Sequence, residues 1–195
     1  MKKIYLQLFC FSIIGFLLVA GCLFCVISGV VTLSIDCFAV DSSDRLYVGT
    51  QNEIRVYEDG VLTHTIDPKT SSGYMFTIKD DQIVLAQPSK IYTMNLQGDV
   101  LNTQEDKSAN MYNQIQYKKR AFVSSNGDEY RIVDLIGRTR IVKNKETTVY
   151  QISIFSVVVR YLIVVAVISI FSFPFLIVPQ YMKLKAQKKG DGSSA

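Results

Sequence analysis

With 195 residues the chain has room for one modest domain and short flanking segments. Its composition, 49% hydrophobic against 19% charged with a mean hydropathy of +0.21, is too apolar for an ordinary soluble domain. The net charge is +4, but the basic excess sits at the two ends and the middle is slightly acidic; this excludes a nucleic-acid surface and reads as a membrane-topology signal.

Lys2 and Lys3 precede an almost unbroken apolar run, Ile4–Ile35. Crossing a ~30 Å hydrocarbon core takes ~20 apolar residues as helix, so the run is long enough. Two readings compete. One is a retained signal anchor, residues 1–30, leading into the first strand of an outer domain. The other rests on Leu18-Val19-Ala20-Gly21-Cys22, which resembles the lipobox of bacterial lipoproteins and implies lipidation of Cys22. A mature lipoprotein usually begins with a polar tether, whereas Leu23–Ile27 continues the apolar run, so the retained helix is the reading adopted. Cys22 and Cys25 have the spacing of a redox or zinc pair, but no His or second pair accompanies them. Gly15, Ala20, Gly21 and Ser28 would let another helix approach closely.

Residues 31–41 are rich in β-branched side chains and read as a helix end or an incoming strand. A polar island, residues 31–150, follows. Leu46 and Val48 share one face of a strand. Ile54 and Val56 share one face of the next, with Arg55 and Tyr57 opposite. Polar turns fall at Asp41–Asp44, Gln51–Glu53 and Glu58–Gly60, and Asp59-Gly60 suits a type I′ hairpin. The stretch Phe38–Ile66 therefore reads as four short strands. It recurs: Phe38-Ala-Val-Asp aligns with Phe76-Thr-Ile-Lys, Leu46-Tyr-Val-Gly with Ile83-Val-Leu-Ala, and Ile54-Arg-Val-Tyr with Ile91-Tyr-Thr-Met. The period is about 38 residues. A weaker third copy takes Ile115-Gln-Tyr, Ala121-Phe-Val-Ser, Tyr130-Arg-Ile-Val and Gly137-Arg-Thr-Arg as its strands.

These segments resemble the blades of bacterial β-propellers, such as the NHL-type and sensor-type superfamilies, over about Phe38–Val142. The resemblance implies an all-β extracytoplasmic domain of propeller-like antiparallel repeats, flanked by two transmembrane α-helices. Closed propellers use about four to eight blades, so three leave two outer faces unpaired. An open curved array, a six-blade ring closed by two copies, and an unrelated sandwich remain alternatives.

The second apolar wall spans residues 149–178. Val149–Val159 reads as a last strand or a helical stalk, and residues 151–182 as the second membrane segment. Arg160 and Tyr161 suit the outer interface, Tyr181 the inner belt, and Lys183 and Lys185 begin a basic cytoplasmic tail, residues 183–195. Pro174 would kink the span. Both termini are then cytoplasmic and the island outside, in a two-pass cell-membrane topology. The island has no N-x-S/T sequon, which favours a bacterial envelope.

Chemistry is sparse. His64 is the single histidine and has no neighbouring ligand or nucleophile in sequence. Asp41 with Asp44, and Asn126-Gly127-Asp128-Glu129, are acidic turns without calcium-loop spacing, and read as solvated turns. Lys118-Lys119-Arg120 reads as a charged strand edge. There is no catalytic triad order, no phosphate-cradling loop and no zinc spacing outside the first wall, so an enzyme is not expected and no catalytic, cofactor-binding or metal residue is assigned. The expected role is a membrane-anchored extracytoplasmic interaction or scaffold module. Its partners would be the lipid bilayer and another envelope protein or a second copy. The alternative is a protein that senses or binds a small ligand or a cell-wall glycan.

Overall fold

The computed structural model describes residues 2–69, 73–118, 120–135 and 138–168, with side chains from residue 15 onward. Contacts divide the chain into two units. One takes Met1–Ile27 with Val158–Ala195, and the other is Ser28–Val157.

In the first unit, α1 runs Lys2–Ile27 without interruption. Its side chains are described only for residues 15–27, and among the described residues no helix is long and apolar enough to cross a membrane. A second helix occupies residues 154–168.

The second unit is three four-stranded antiparallel sheets, each an up-and-down meander in chain order. Sheet 1 is β1 (Cys37–Val40), β2 (Leu46–Gly49), β3 (Ile54–Glu58) and β4 (Val61–Ile66). Sheet 2 is β5 (Met75–Lys79), β6 (Gln82–Ala86), β7 (Lys90–Met94) and β8 (Val100–Glu105). A short helix, α2 (Asn110–Lys118), leads to sheet 3: β9 (Ala121–Val123), β10 (Glu129–Leu135), β11 (Arg138–Lys143) and β12 (Thr147–Gln151).

The turns follow from residue chemistry and recur. Three hairpins place positive φ at two successive turn residues: Asp59-Gly60 (50° and 78°) and Asp80-Asp81 (51° and 52°) as two-residue turns, and Asn144-Lys145 (51° and 67°) within the connection 144–146. This is the type I′ geometry whose twist matches the strands. Three others use a five-residue loop opened by Asp41, Asn95 or Ser124. In each, the fourth residue has positive φ (Asp44, Gly98, Gly127) and its N–H donates to the carbonyl of the first. The opening side chain accepts from backbone N–H groups further on. Asp41 Oδ1 takes those of Ser43 and Arg45, Asn95 Oδ1 those of Gln97 and Asp99, and Ser124 Oγ that of Asp128. Short polar side chains that replace backbone partners are what such loops select for.

Sheet 1 is the middle layer. Alternation in β1 sends Cys37 and Ala39 into a core shared with sheet 2, and Phe38 and Val40 into a core shared with sheet 3. In β2, Tyr47 joins the first core while Leu46 and Val48 join the second. In β3, Ile54 and Val56 join the first and Tyr57 packs on the second. Accordingly β1 lies against both β5 and β9. Sheets 1 and 2 approach closely at Gly49, where an added Cβ would sit 2.9 Å from both Cys37 Sγ and Phe76 Cε1. Phe122 of β9 touches both cores and meets Phe38 edge-on at 6.4 Å between centroids. No closure of the three sheets into a ring is seen among the described residues.

The third copy departs from the sequence reading. Ile115-Gln-Tyr lies in α2 and not in a strand. The helix is set up by Asp106, which accepts from Ser108 and from the Met111 N–H at 3.0 Å. Ile115 is buried in the first core, with Met111 and Tyr112 packed beside it, one face at helical spacing. The strand beginning at Ala121 is therefore the first of its sheet, and the last is Thr147–Gln151, at the start of the second apolar wall.

Asp41 has the heaviest duty among the loop residues. It is 1% exposed, and its Oδ2 accepts from Arg45 Nε at 2.7 Å and from Tyr47 OH at 3.2 Å. Replacing Asp41 with Ala should cost about 3 kcal/mol, because a guanidinium and a buried phenol lose their acceptor. The equivalent Asn95→Ala, in a more open loop, should cost about 1 kcal/mol. Urea unfolding of both variants checks the contrast; equal losses would mean that burial of the Asp41 carboxylate contributes nothing.

A polar cleft beside the chain junctions

A cleft of about 460 Å³ lies between sheets 1 and 3. It is lined by β3, by β12, by the segment that follows α1 and by the first turn of the helix at 154–168. Alternation places Arg55 and Tyr57 on the β3 face that looks toward sheet 3, opposite the buried Ile54 and Val56.

Arg55 organises this region. Its Nε donates to Glu53 Oε1 at 2.6 Å, Nη1 to Thr32 Oγ1 at 2.9 Å and Nη2 to the Gly29 carbonyl at 2.6 Å. The planar guanidinium thus holds the incoming segment by two fixed bonds, and Glu53 balances its charge. The Thr32 N–H donates to Ser156 Oγ at 3.2 Å, a buried bond across 124 residues of chain. Ser153 Oγ also donates to Ser156 Oγ, at 2.9 Å. Tyr57, on the same strand as Arg55, and Tyr150 of β12 stand 5.1 Å apart between ring centroids at 59°. Burial, and then Coulombic repulsion from Tyr57, push the Tyr150 phenol up to about 12.

The residues that the sequence singled out lie elsewhere. Asp44 and Asp128, from two different acidic turns, converge on Lys143, whose Nζ lies 3.7 Å from Asp44 Oδ2 and 2.7 Å from Asp128 Oδ2. The ammonium occupies the position a cation would take, 5.5 Å from the Tyr130 ring centroid. Both the Asp128 carboxyl and the Lys143 ammonium move to favour the ion pair: the Lys143 hydrogen bond pulls the acid down, and the Asp128 hydrogen bond pushes the ammonium up. No group of three metal-ligating side chains is found among the described residues. Asp81 joins sheets 1 and 2 by accepting from Ser42 Oγ at 2.8 Å. His64 is half-buried on β4, with Nδ1 3.1 Å from Thr63 Oγ1, and Nε2 has no partner among the described residues. Arg120 pairs with Asp134, Lys118 is exposed, and Lys119 lies outside the described residues. Cys22 is half-exposed within the unbroken α1. Arg160 and Tyr161 are exposed on the helix at 154–168, two turns past its start. Tyr181, Lys183, Lys185 and Pro174 lie outside the described residues.

No family model matches the chain, and no curated protein matches it. Among solved structures, it is similar to the crystal structure of a protein of unknown function from Bacteroides caccae. That match has 12% identity and a TM-score of 0.31, over 62% of this chain and 46% of the other. The chain thus spans less than half of that protein, and a likeness at this level bears on neither fold nor function.

The elevated Tyr150 phenol makes a directional statement about pH. A group held protonated by folding contributes stability that is intact below its unfolded value, about 10, and lost as pH rises through the folded value. The native protein should therefore lose stability between about pH 10 and about 12, and Tyr150→Phe should remove part of that slope. The phenolate absorbance difference between the two proteins should place one tyrosine near 12; a difference centred near 10 would place Tyr150 in open solvent.

Proposed function

We propose that the chain is a membrane-anchored extracytoplasmic module of a bacterial envelope that engages another envelope protein through free strand edges. The membrane part rests on sequence. Apolar walls flank the β unit, α1 is 26 residues long, and lysines stand at both chain ends. The apolar run Ile4–Ile35 exceeds the ~20 residues that a helical span takes. The exposed apolar side chains Phe16, Leu17, Phe24, Val164, Val165 and Ile168 are what a lipid environment would cover. In this reading Arg160 and Tyr161 anchor the outer interface, Tyr181, Lys183 and Lys185 the inner one, and both termini are cytoplasmic. The three meanders would be propeller-like blades, without a ring of their own.

The observation that carries the interaction role is the state of β4 and β8. Each is the last strand of its sheet, with one backbone edge unpaired in that sheet. Each opens with an exposed apolar pair, Val61-Leu62 and Val100-Leu101, at 42% to 66% exposure. Soluble proteins guard such edges with lysine or proline. Here β4 carries no Lys, Arg, Asp, Glu or Pro, and β8 carries only Glu105. An added strand from a partner would satisfy the backbone and cover the apolar pairs.

A cysteine placed at Asp59, in the β3–β4 turn, should react with a membrane-impermeant maleimide in intact cells; protection until lysis would reverse the topology. Photo-crosslinkers at Leu62 and Leu101 should capture one partner in stoichiometric yield from native membranes. Leu62→Lys and Leu101→Lys should abolish capture with the melting temperature unchanged, and capture that survives both would exclude the edges. A second reading, ligand binding in the cleft, is favoured by the polar concavity at Arg55, Tyr57 and Tyr150 and does not depend on the edges.

A further inference from the structure

We infer that the cleft between sheets 1 and 3 is a binding site for an uncharged saccharide. The inference rests on the ligand-binding reading of that cleft and is independent of the edge-partner reading.

The chemistry of the walls selects the ligand. Hydroxyl and amide groups dominate, from Thr32, Ser156, Gln151 and the two tyrosines. Such groups both donate and accept, as sugar hydroxyls do. Ser156 Oγ already accepts from the Thr32 N–H and from Ser153 Oγ, which leaves its own proton to donate. Charge excludes the main competitor. Arg55 is the single ionic side chain of the lining, and it is neutralised by Glu53 at 2.6 Å while its other two nitrogens hold Thr32 and Gly29. An anionic ligand would have to displace hydrogen bonds already in place, whereas a neutral one needs no counter-charge. The tilted Tyr57 and Tyr150 pair supplies aromatic surface, rigid and apolar on its faces, for the C–H side of a pyranose. A volume of about 460 Å³ falls in the range of small-molecule sites.

The lining also gives the site a consequence. Thr32 belongs to the segment after α1 and Ser156 to the segment that begins the last helix, so a bound sugar would touch both chain junctions at once.

The full chain in lipid nanodiscs, prepared without sugar detergents, should be titrated by saturation-transfer NMR. The probes are a neutral disaccharide of β-1,4-linked N-acetylglucosamine, its tetramer, maltose, and glucuronate as the anionic control. Saturable transfer to the ring protons of a neutral sugar is expected, with glucuronate at least tenfold weaker. Gln151→Ala, at an exposed position, should weaken binding about tenfold, and Tyr150→Ala at least as much, with the far-ultraviolet spectrum unchanged for the first variant. Preference for the tetramer would identify a glycan chain as the source, and equal affinity a free sugar. Stronger binding of glucuronate would overturn the inference while leaving a ligand site standing. No saturable binding of any probe would overturn the inference, and a flat thermal-shift screen of unrelated metabolites alongside it would remove the ligand-binding reading too. Neutral-sugar binding unaffected by both substitutions would move the site elsewhere.

Discussion

Because β1 alternates between two cores, neither face of β1 or β2 meets solvent, and every residue of these two strands is buried. The register of this one sheet therefore fixes two interfaces at once. A slip of one residue would exchange Cys37 and Ala39 with Phe38 and Val40 and spoil both packings together. Each fully buried Val or Ile here contributes about 1.5–3 kcal/mol of transfer free energy, and the two cores draw on different residues of the same strands. The two-residue Asp59-Gly60 turn and the Asp41 loop protect that register. Both accept only a narrow backbone geometry, and Asp41 is tied through Arg45 and Tyr47 to the sheet it begins.

The same arrangement explains why the order of the sheets differs from the order of the repeats. Sheets 2 and 3 both pack on sheet 1, and the chain between them carries an insertion absent from the first connection. That insertion is α2, whose buried Ile115 fills the first core beside β5. A uniform array would place each sheet on its predecessor. Here the middle repeat in space is the first in sequence, and its strands are the ones with apolar residues on both faces.

Legibility followed the same physics. Sheet 1 and sheet 2 were readable because short alternating runs were separated by Asp, Asn and Gly at positions that need positive φ. Arg55 and Tyr57 were placed correctly on the face opposite Ile54 and Val56. Sheet 3 was misread at its start, and the sequence leaves its end open between a strand and a stalk. Ile115 looked like a strand residue because a short apolar cluster has no distinct period, and the Asp106 cap that starts α2 gives only a weak local signal. The last strand, Thr147–Gln151, merges in sequence with the apolar wall that follows it. The cleft left no trace in the sequence at all. Thr32, Arg55 and the stretch that holds Tyr150 and Ser156 come from three separate parts of the chain, none belongs to a motif, and only the packing of sheet 3 on sheet 1 brings them together. The acidic turns read as solvated, whereas Asp44 and Asp128 converge on Lys143 of a neighbouring strand.

The junction at Arg55 gives the β unit a mechanical property that its sheets alone would not have. The segment that leaves α1 is held at Gly29 and Thr32 by one guanidinium, and Thr32 in turn donates to Ser156 where the last helix begins. The two ends of the unit are thus fastened to one another and to the middle of sheet 1, within about one hydrogen bond of the cleft. Arg55 stands where both end segments of the β unit meet sheet 1. A ligand that orders the cleft would order the same bonds, since differential contact with two arrangements of a linker is all that coupling requires. An edge partner on β4 would reach the same residue by another route, because β4 pairs with β3 and Arg55 lies opposite Thr65 in that ladder.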